Sequence, residues 1–135
     1  MELSDATRNL AGILLITIVT IEFGGAFMLR VVQGKEPTTA IQKSFYRAGH
    51  AHAGVLVMLS LVILLYVDAT DMADGPTWLA RSGVPIAALL IPGGFFFSVL
   101  KRGAEKPNKL IWMIYSGGVF LALGVLATGI GLLTA

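Results

Sequence analysis

Four long apolar runs dominate the chain, and short polar connections separate them. The runs cover Leu10–Leu29, Ala51–Val67, Gly83–Leu100 and Leu110–Ala135. About 20 helical residues cross the roughly 30 Å hydrocarbon core of a bilayer, so each run is long enough, or nearly so, to span it. The pattern predicts an all-α membrane protein whose four transmembrane helices form one domain over residues 1–135.

Composition agrees with this pattern and excludes several classes of protein. Hydrophobic residues make up 56% of the 135 residues and charged residues 13%, whereas soluble domains carry about 25% charge. A disordered chain, a nucleic-acid binder and a water-soluble enzyme are therefore excluded. The absence of cysteine excludes disulfides, iron–sulfur clusters and thiolate zinc sites. Since the sequence has no nucleotide-binding or metalloprotease motif either, it does not indicate an enzyme.

The charges of the connections predict the topology. Eight of the ten Lys and Arg residues lie in or directly beside residues 31–46 and 101–109, whereas the connection between the second and third runs carries Asp68, Asp71 and Asp74 and is expected to be a solvated acidic turn. Short basic loops stay in the cytoplasm. We therefore expect both basic loops inside and both termini outside, in a bacterial inner membrane. The net charge of +2 then needs no nucleic-acid partner.

The two halves of the sequence resemble each other at an offset of 69 positions, without gaps. The identical pairs include Gly24 with Gly93, Gly34 with Gly103, Glu36 with Glu105 and Tyr46 with Tyr115. The offset predicts two tandem helical hairpins of the same sense, residues 10–68 and 79–135. A pseudo-twofold axis along the membrane normal would relate them, as in parallel-repeat transporters. The alternative is that glycine-rich helices converged for packing.

Glu22 is the most informative single residue because it lies well inside the first apolar run. A carboxylate within a span costs about 2.5–3.5 kcal/mol by insertion scales, so it should face the bundle interior or a watery cavity. This placement predicts a proton carrier, a metal ligand or the counter-charge for a cationic substrate. The alternative is a protonated Glu that only hydrogen-bonds a neighbouring helix.

Two histidines in the second run join Glu22 as candidates. His50 and His52 are two residues apart, which turns a regular helix by about 200° and points the rings to nearly opposite faces. Tyr46 precedes His50 by one turn, where the two can hydrogen-bond. Together with Arg47 these residues predict a proton- or substrate-binding site in the cytoplasmic leaflet.

The third and fourth runs supply candidates for lining or gating a cavity. Pro92 frees a carbonyl one turn earlier, so Pro92, Gly93 and Gly94 are expected to kink the helix or to open a broken helix that lines a cavity. Tyr115 and Ser116 fall in a comparable layer of the membrane. The second half thus contributes few polar groups, and the predicted site is asymmetric.

Three functions fit these residues. We favour a proton-coupled carrier or channel that acts as a homo-oligomer in the lipid bilayer. The first alternative is a haem- or transition-metal-binding protein linked to electron transfer, with Glu22, His50 and His52 as ligands, although one chain supplies too few ligands to close such a site. The second alternative is a structural or assembly subunit of a larger membrane complex.

Overall fold

The computed structural model describes residues 2–135, which are mostly helical and contain no strand. The four long helices are α1 (Asp5–Val32), α2 (Ala40–Val67), α3 (Asp74–Ser98) and α4 (Trp112–Thr134), and a 3₁₀ turn over Lys109–Ile111 precedes α4. All four helices, α4 together with its 3₁₀ turn, are long and apolar enough to cross a bilayer. The prediction of a four-helix integral membrane protein is confirmed.

The second helix begins well before its apolar run because a capping box starts it. The Thr39 hydroxyl accepts the Gln42 backbone N–H at 3.2 Å, and the Gln42 side chain accepts the Thr39 N–H at 3.0 Å. The polar residues 40–46, which hydropathy assigned to a loop, therefore form the first turns of α2. The first connection shortens from the predicted 31–46 to residues 33–39.

The helices pack in chain order, with α2 and α3 in the centre, α1 against α2 and α4 against α3. The span of α3 is the most buried of the four, and those of α1 and α4 are the most exposed. Hydrogen bonds from Ser4 to Asp68 and from Thr39 to Ala104 show which connections lie together. We call the end with connections 33–39 and 99–108 the basic end, and the end with residues 2–4 and 68–73 the acidic end.

The closest helix pair is α3 with α4. A Cβ on Gly83 would lie 2.8 Å from the Cα of Gly124, so the two backbones approach as closely as small residues allow. The main core fills the space around α3 with Leu56, Leu64 and Val84, all nearly inaccessible to solvent. In contrast, most of α1 and α4 presents apolar side chains outward.

Candidate functional site

Glu22 lies on the outer surface of the chain and not in its core. It is exposed on α1 in one stripe with Leu15, Val19, Ala26 and Leu29, which we call the α1 face. Leu15, Val19 and Leu29 are 53–58% exposed. Glu22 takes part in none of the ion pairs formed among residues 2–135. An ionisable group thus faces outward from a helix that crosses the bilayer.

His50 packs onto α1 at a pair of glycines. A Cβ on Gly24 would lie 3.3 Å from the Nδ1 of His50, and a Cβ on Gly25 would lie 3.5 Å from its Nε2. The missing side chains therefore make room for the imidazole, which is half-buried. The two glycines follow Glu22 closely on α1, but they face α2 whereas Glu22 faces outward.

His52 lies on the other side of α2. Its ring is exposed and stands 5.2 Å, between centroids, from the ring of Phe95 on α3. Its Nδ1 is 2.7 Å from the carbonyl oxygen of Ala48. A carbonyl can only accept, so Nδ1 carries the proton in this bond. Since His50 contacts α1 and His52 lies against α3, the two rings of one chain do not face a common ligand.

Tyr46 is buried in an aromatic cluster near the basic end. Its ring stands 5.4 Å from that of Phe27 on α1 and 5.5 Å from that of Phe96 on α3, between centroids. The predicted hydrogen bond between Tyr46 and His50 is absent from the described chain. In this position Tyr46 joins three helices by packing.

Arg47 and His50 share a groove between α1 and α2. The groove has a volume of about 400 Å³, and Gly25, Met28, Leu29 and Val32 form its α1 wall. Arg47 is exposed and His50 half-buried. Of the predicted site residues, only these two line this groove.

Around Pro92 the third helix is continuous. α3 runs through Pro92, Gly93 and Gly94 without a break and ends at Ser98, so the alternative of a broken helix is wrong, and the kink stays a prediction. A Cβ on Gly94 would lie 2.6 Å from the Cγ1 of Ile114 and one on Gly93 2.9 Å from a methionine methyl, both on α4. The glycines therefore serve close packing, and their role in gating stays a prediction.

Tyr115 and Ser116 are exposed on α4. The ring of Tyr115 meets that of Trp112 edge-on, with centroids 5.2 Å apart. Because α4 packs mainly against α3, the chain does not bring these two residues to the face of α1 that carries Glu22.

One polar cluster at the acidic end was missed by the sequence analysis. Asp68 Oδ1 accepts hydrogen bonds from Ser4 Oγ, Thr7 Oγ1 and Arg81 Nη2, each at 3.0 Å, and its Oδ2 accepts the Ser4 N–H at 2.8 Å. The Asp68 side chain is only 7% exposed. The expectation of a solvated acidic turn is therefore wrong for this residue. The one sequence signal was Arg81, a single cation near the start of the third span.

The electrostatics of Asp68 follow from these contacts. Burial alone raises the pKa of the carboxyl, but the hydrogen bonds from Ser4, Thr7 and Arg81 outweigh burial, and the pKa of Asp68 is lowered. The cluster thus joins the N-terminus, the end of α2 and the start of α3 through an ionised carboxylate.

Among residues 2–135 no three His, Asp or Glu side chains come together to hold a metal ion. The metal-ligand set predicted from Glu22, His50 and His52 is accordingly not assembled within one chain. Comparisons with protein-family models, curated proteins and solved structures find no match to this chain.

Proposed function

We propose that the protein is a proton-coupled carrier or channel and that it acts as a homo-oligomer held together by the α1 face. The exposed position of Glu22 within a membrane span carries this proposal. A charged side chain facing hydrocarbon costs about 2.5–3.5 kcal/mol by insertion scales. Contact between copies replaces lipid with protein around the carboxyl and so removes much of that cost.

A symmetric assembly would shield the Glu22 carboxyl from lipid and would also give it a function. Membrane-embedded carboxyl groups that face a bundle interior are typical of proton relays. If the α1 faces of several copies turn toward a common axis, their Glu22 side chains line one pathway. A pathway between copies also fits the small size of the chain and its sparsely buried α1.

Features of the fold support the proposed duplication. α1 begins at Asp5 and α3 at Asp74, which are 69 residues apart. Gly34 and Gly103, separated by the same offset, both adopt a φ of 71°, in the left-handed region that favours glycine. These shared positions favour two hairpins of common origin over chance similarity.

The proposed duplication relates the uncovered α1 face to a covered position in the second hairpin. Ile91 occupies the position in α3 that corresponds to Glu22. It is buried, and its Cγ1 lies 2.6 Å from where a Cβ on Gly117 of α4 would stand. The second hairpin thus covers this position with its own helix, whereas the first leaves it for another chain.

For the orientation we propose that the basic end lies in the cytoplasm and that both termini lie outside. Lys43 and Arg47 lie in the first turns of α2 and not in the connection 33–39. They still lie within the region near the ends of a span where positive charge sets topology.

An assembly subunit is the second candidate. The outer surface of α4 supports it, because Val119, Leu126 and Ile130 are 59–60% exposed and form an apolar surface without an ionisable group. Such a surface suits packing against a different membrane protein. The haem or metal alternative has less support, since a second copy would have to supply the missing ligands.

The test is proton flux in proteoliposomes under an imposed pH gradient, followed with a pH-sensitive dye. Glu22→Gln keeps the shape of the side chain and removes the titratable group, so flux should fall to that of protein-free vesicles. Glu36→Gln is the matched control. It removes a carboxylate that lies in the connection 33–39, outside the spans, and that forms its ion pair with the exposed Arg30. Wild-type flux in Glu22→Gln would contradict the proposal, and an inert wild-type protein would favour the subunit function.

A further inference from the structure

The groove between α1 and α2 has two walls of different chemistry. The α2 wall consists of Arg47 and His50, and Lys43 lies one turn before Arg47 on the same side of the helix, outside the lining. On α1 the facing wall consists of Gly25, Met28, Leu29 and Val32, which are apolar. The groove is open toward the surface of the chain and has a volume of about 400 Å³.

The charge of Lys43 and Arg47 is not neutralised by an acidic side chain within the described part of the chain. Lys43 and Arg47 are exposed, and neither takes part in an ion pair among residues 2–135. Arg30, at the end of α1, differs because its Nε donates to Glu36 Oε1 at 2.7 Å. The charge at the groove is therefore available to an external anion.

The polarity of the groove changes with depth. α1 and α2 run in opposite directions, so Val32 and Lys43 lie toward the basic end, whereas Gly25 and His50 lie deeper, where they contact each other. Seven helical residues separate Gly25 from Val32, which corresponds to roughly 10 Å along the helix. The cationic side chains thus lie toward the basic end, and the apolar part of the groove extends from them toward the middle of the span.

We propose that this groove binds an anionic phospholipid. The Arg47 guanidinium and the Lys43 ammonium bind its phosphate, since Arg–phosphate contacts are strong and often bidentate. One acyl chain lies along Leu29 and Gly25, and the His50 ring closes the deep end. Basic clefts between transmembrane helices are a general mode of recognising anionic headgroups. The proposal does not depend on the proposed proton flux, because it does not involve Glu22. Leu29 is the one residue of the α1 face that also lines the groove.

Native mass spectrometry of the detergent-solubilised protein tests this site, with phosphatidylglycerol and phosphatidylcholine offered at equal concentration. We expect the wild type to retain one phosphatidylglycerol in preference to phosphatidylcholine. The double variant Lys43→Gln/Arg47→Gln should lower the apparent affinity for that lipid about thirtyfold. The control Lys101→Gln/Lys106→Gln removes the same charge at the same end and should change it less than twofold.

Three results would overturn the proposal. Equal retention of the two lipids would indicate an ordinary lipid annulus. An equal loss in the control pair would indicate general attraction to a basic surface. Displacement of the lipid by millimolar inorganic phosphate would indicate a site for a free anion.

A second variant tests the apolar part of the groove. Val32→Trp fills the groove with a larger side chain at a position outside the α1 face and leaves both cations in place, so it should also weaken lipid retention severalfold. Leu133→Trp, at an exposed position of α4 near the acidic end, is the control and should retain the lipid. Unchanged retention in Val32→Trp would show that no acyl chain lies in the groove.

Discussion

Asp68→Asn should destabilise the protein strongly, although it changes one residue in a connection. The carboxylate accepts four hydrogen bonds and pairs with Arg81, and its side chain is 7% exposed while that of Arg81 is 21% exposed. Removing one partner of a buried pair costs about 3–5 kcal/mol. Because water reaches part of Arg81, we expect a loss near the lower limit, about 3 kcal/mol.

The assay is equilibrium unfolding in mixed micelles of increasing SDS content, followed by far-UV circular dichroism. Asp71→Asn is the matched control, since it makes the same substitution at an exposed position in the same connection, and its effect should stay within about 0.5 kcal/mol. A double-mutant cycle with Arg81→Gln separates the interaction free energy of the Asp68–Arg81 pair from the effects of the two single substitutions. If Asp68→Asn unfolds at the same SDS content as Asp71→Asn, the cluster does not join the helices as described.

The pH dependence of the same assay follows from the sign of the shift. The folded-state pKa of Asp68 is lowered, so its contribution is fully present above the unfolded-state pKa of about 3.9 and is lost as the pH falls through the folded-state value. The difference in stability between the wild type and Asp68→Asn should stay constant from pH 7 to about pH 5 and narrow below about pH 4. A difference that already narrows at pH 6 would contradict the assignment.

Two further substitutions test how the helices pack. Gly94→Ala should lower the free energy of unfolding by about 1–3 kcal/mol, because its Cβ would lie 2.6 Å from Ile114. Gly25→Ala is the control and should be neutral, because its Cβ would meet the His50 ring at 3.5 Å. SDS unfolding measures both variants, and equal losses of stability would contradict the described packing of α3 against α4. Gln42→Leu removes three hydrogen bonds: the one accepted from the Thr39 N–H at 3.0 Å, and two donated to the carbonyls of Val99 and Lys101, just after α3, at 2.9 and 3.0 Å. The substitution should lower the free energy of unfolding by about 2 kcal/mol and speed amide hydrogen exchange in the first turn of α2. Ser44→Ala is the control, and equal exchange rates in the two variants would refute the role of Gln42.

Apolar run length is enough to predict the four spans, because a bilayer imposes one length on every helix that crosses it. The start of α2 was predicted too late for a related reason. Hydropathy assigns Lys43 and Ser44 to a loop, but the capping box between Thr39 and Gln42 starts the helix before them. Helix start signals and hydropathy therefore disagree where a helix extends beyond the hydrocarbon.

The faces of the helices were harder to predict. α1 is apolar on most sides, so its sequence does not say which side meets α2, and Glu22 was expected inside the chain instead of on its surface. Gly24 and Gly25 accommodate the ring of His50, a contact that the sequence does not predict. Which side chain occupies a glycine notch depends on the angle and register between two helices, and neither quantity is encoded locally.

The partners of Asp68 depend on the whole fold. Ser4, Thr7 and Arg81 come from two other segments, and they meet the carboxylate only after α1 and α3 have packed beside α2. The alternation of charge at the ends of the spans indicated that the tail and the second connection share one side of the membrane, but it could not predict a bond between them.

The most direct test of the α1 face uses the absence of cysteine from the chain. A single cysteine at Ala26, one turn from Glu22, should be linked between copies by a short bis-maleimide in native membranes at low expression. The variant Val119→Cys, whose position on α4 is 59% exposed, should remain a monomer, without cross-links, under the same conditions. A monomeric Ala26→Cys, or equal linkage at both positions, would show that no second copy covers Glu22.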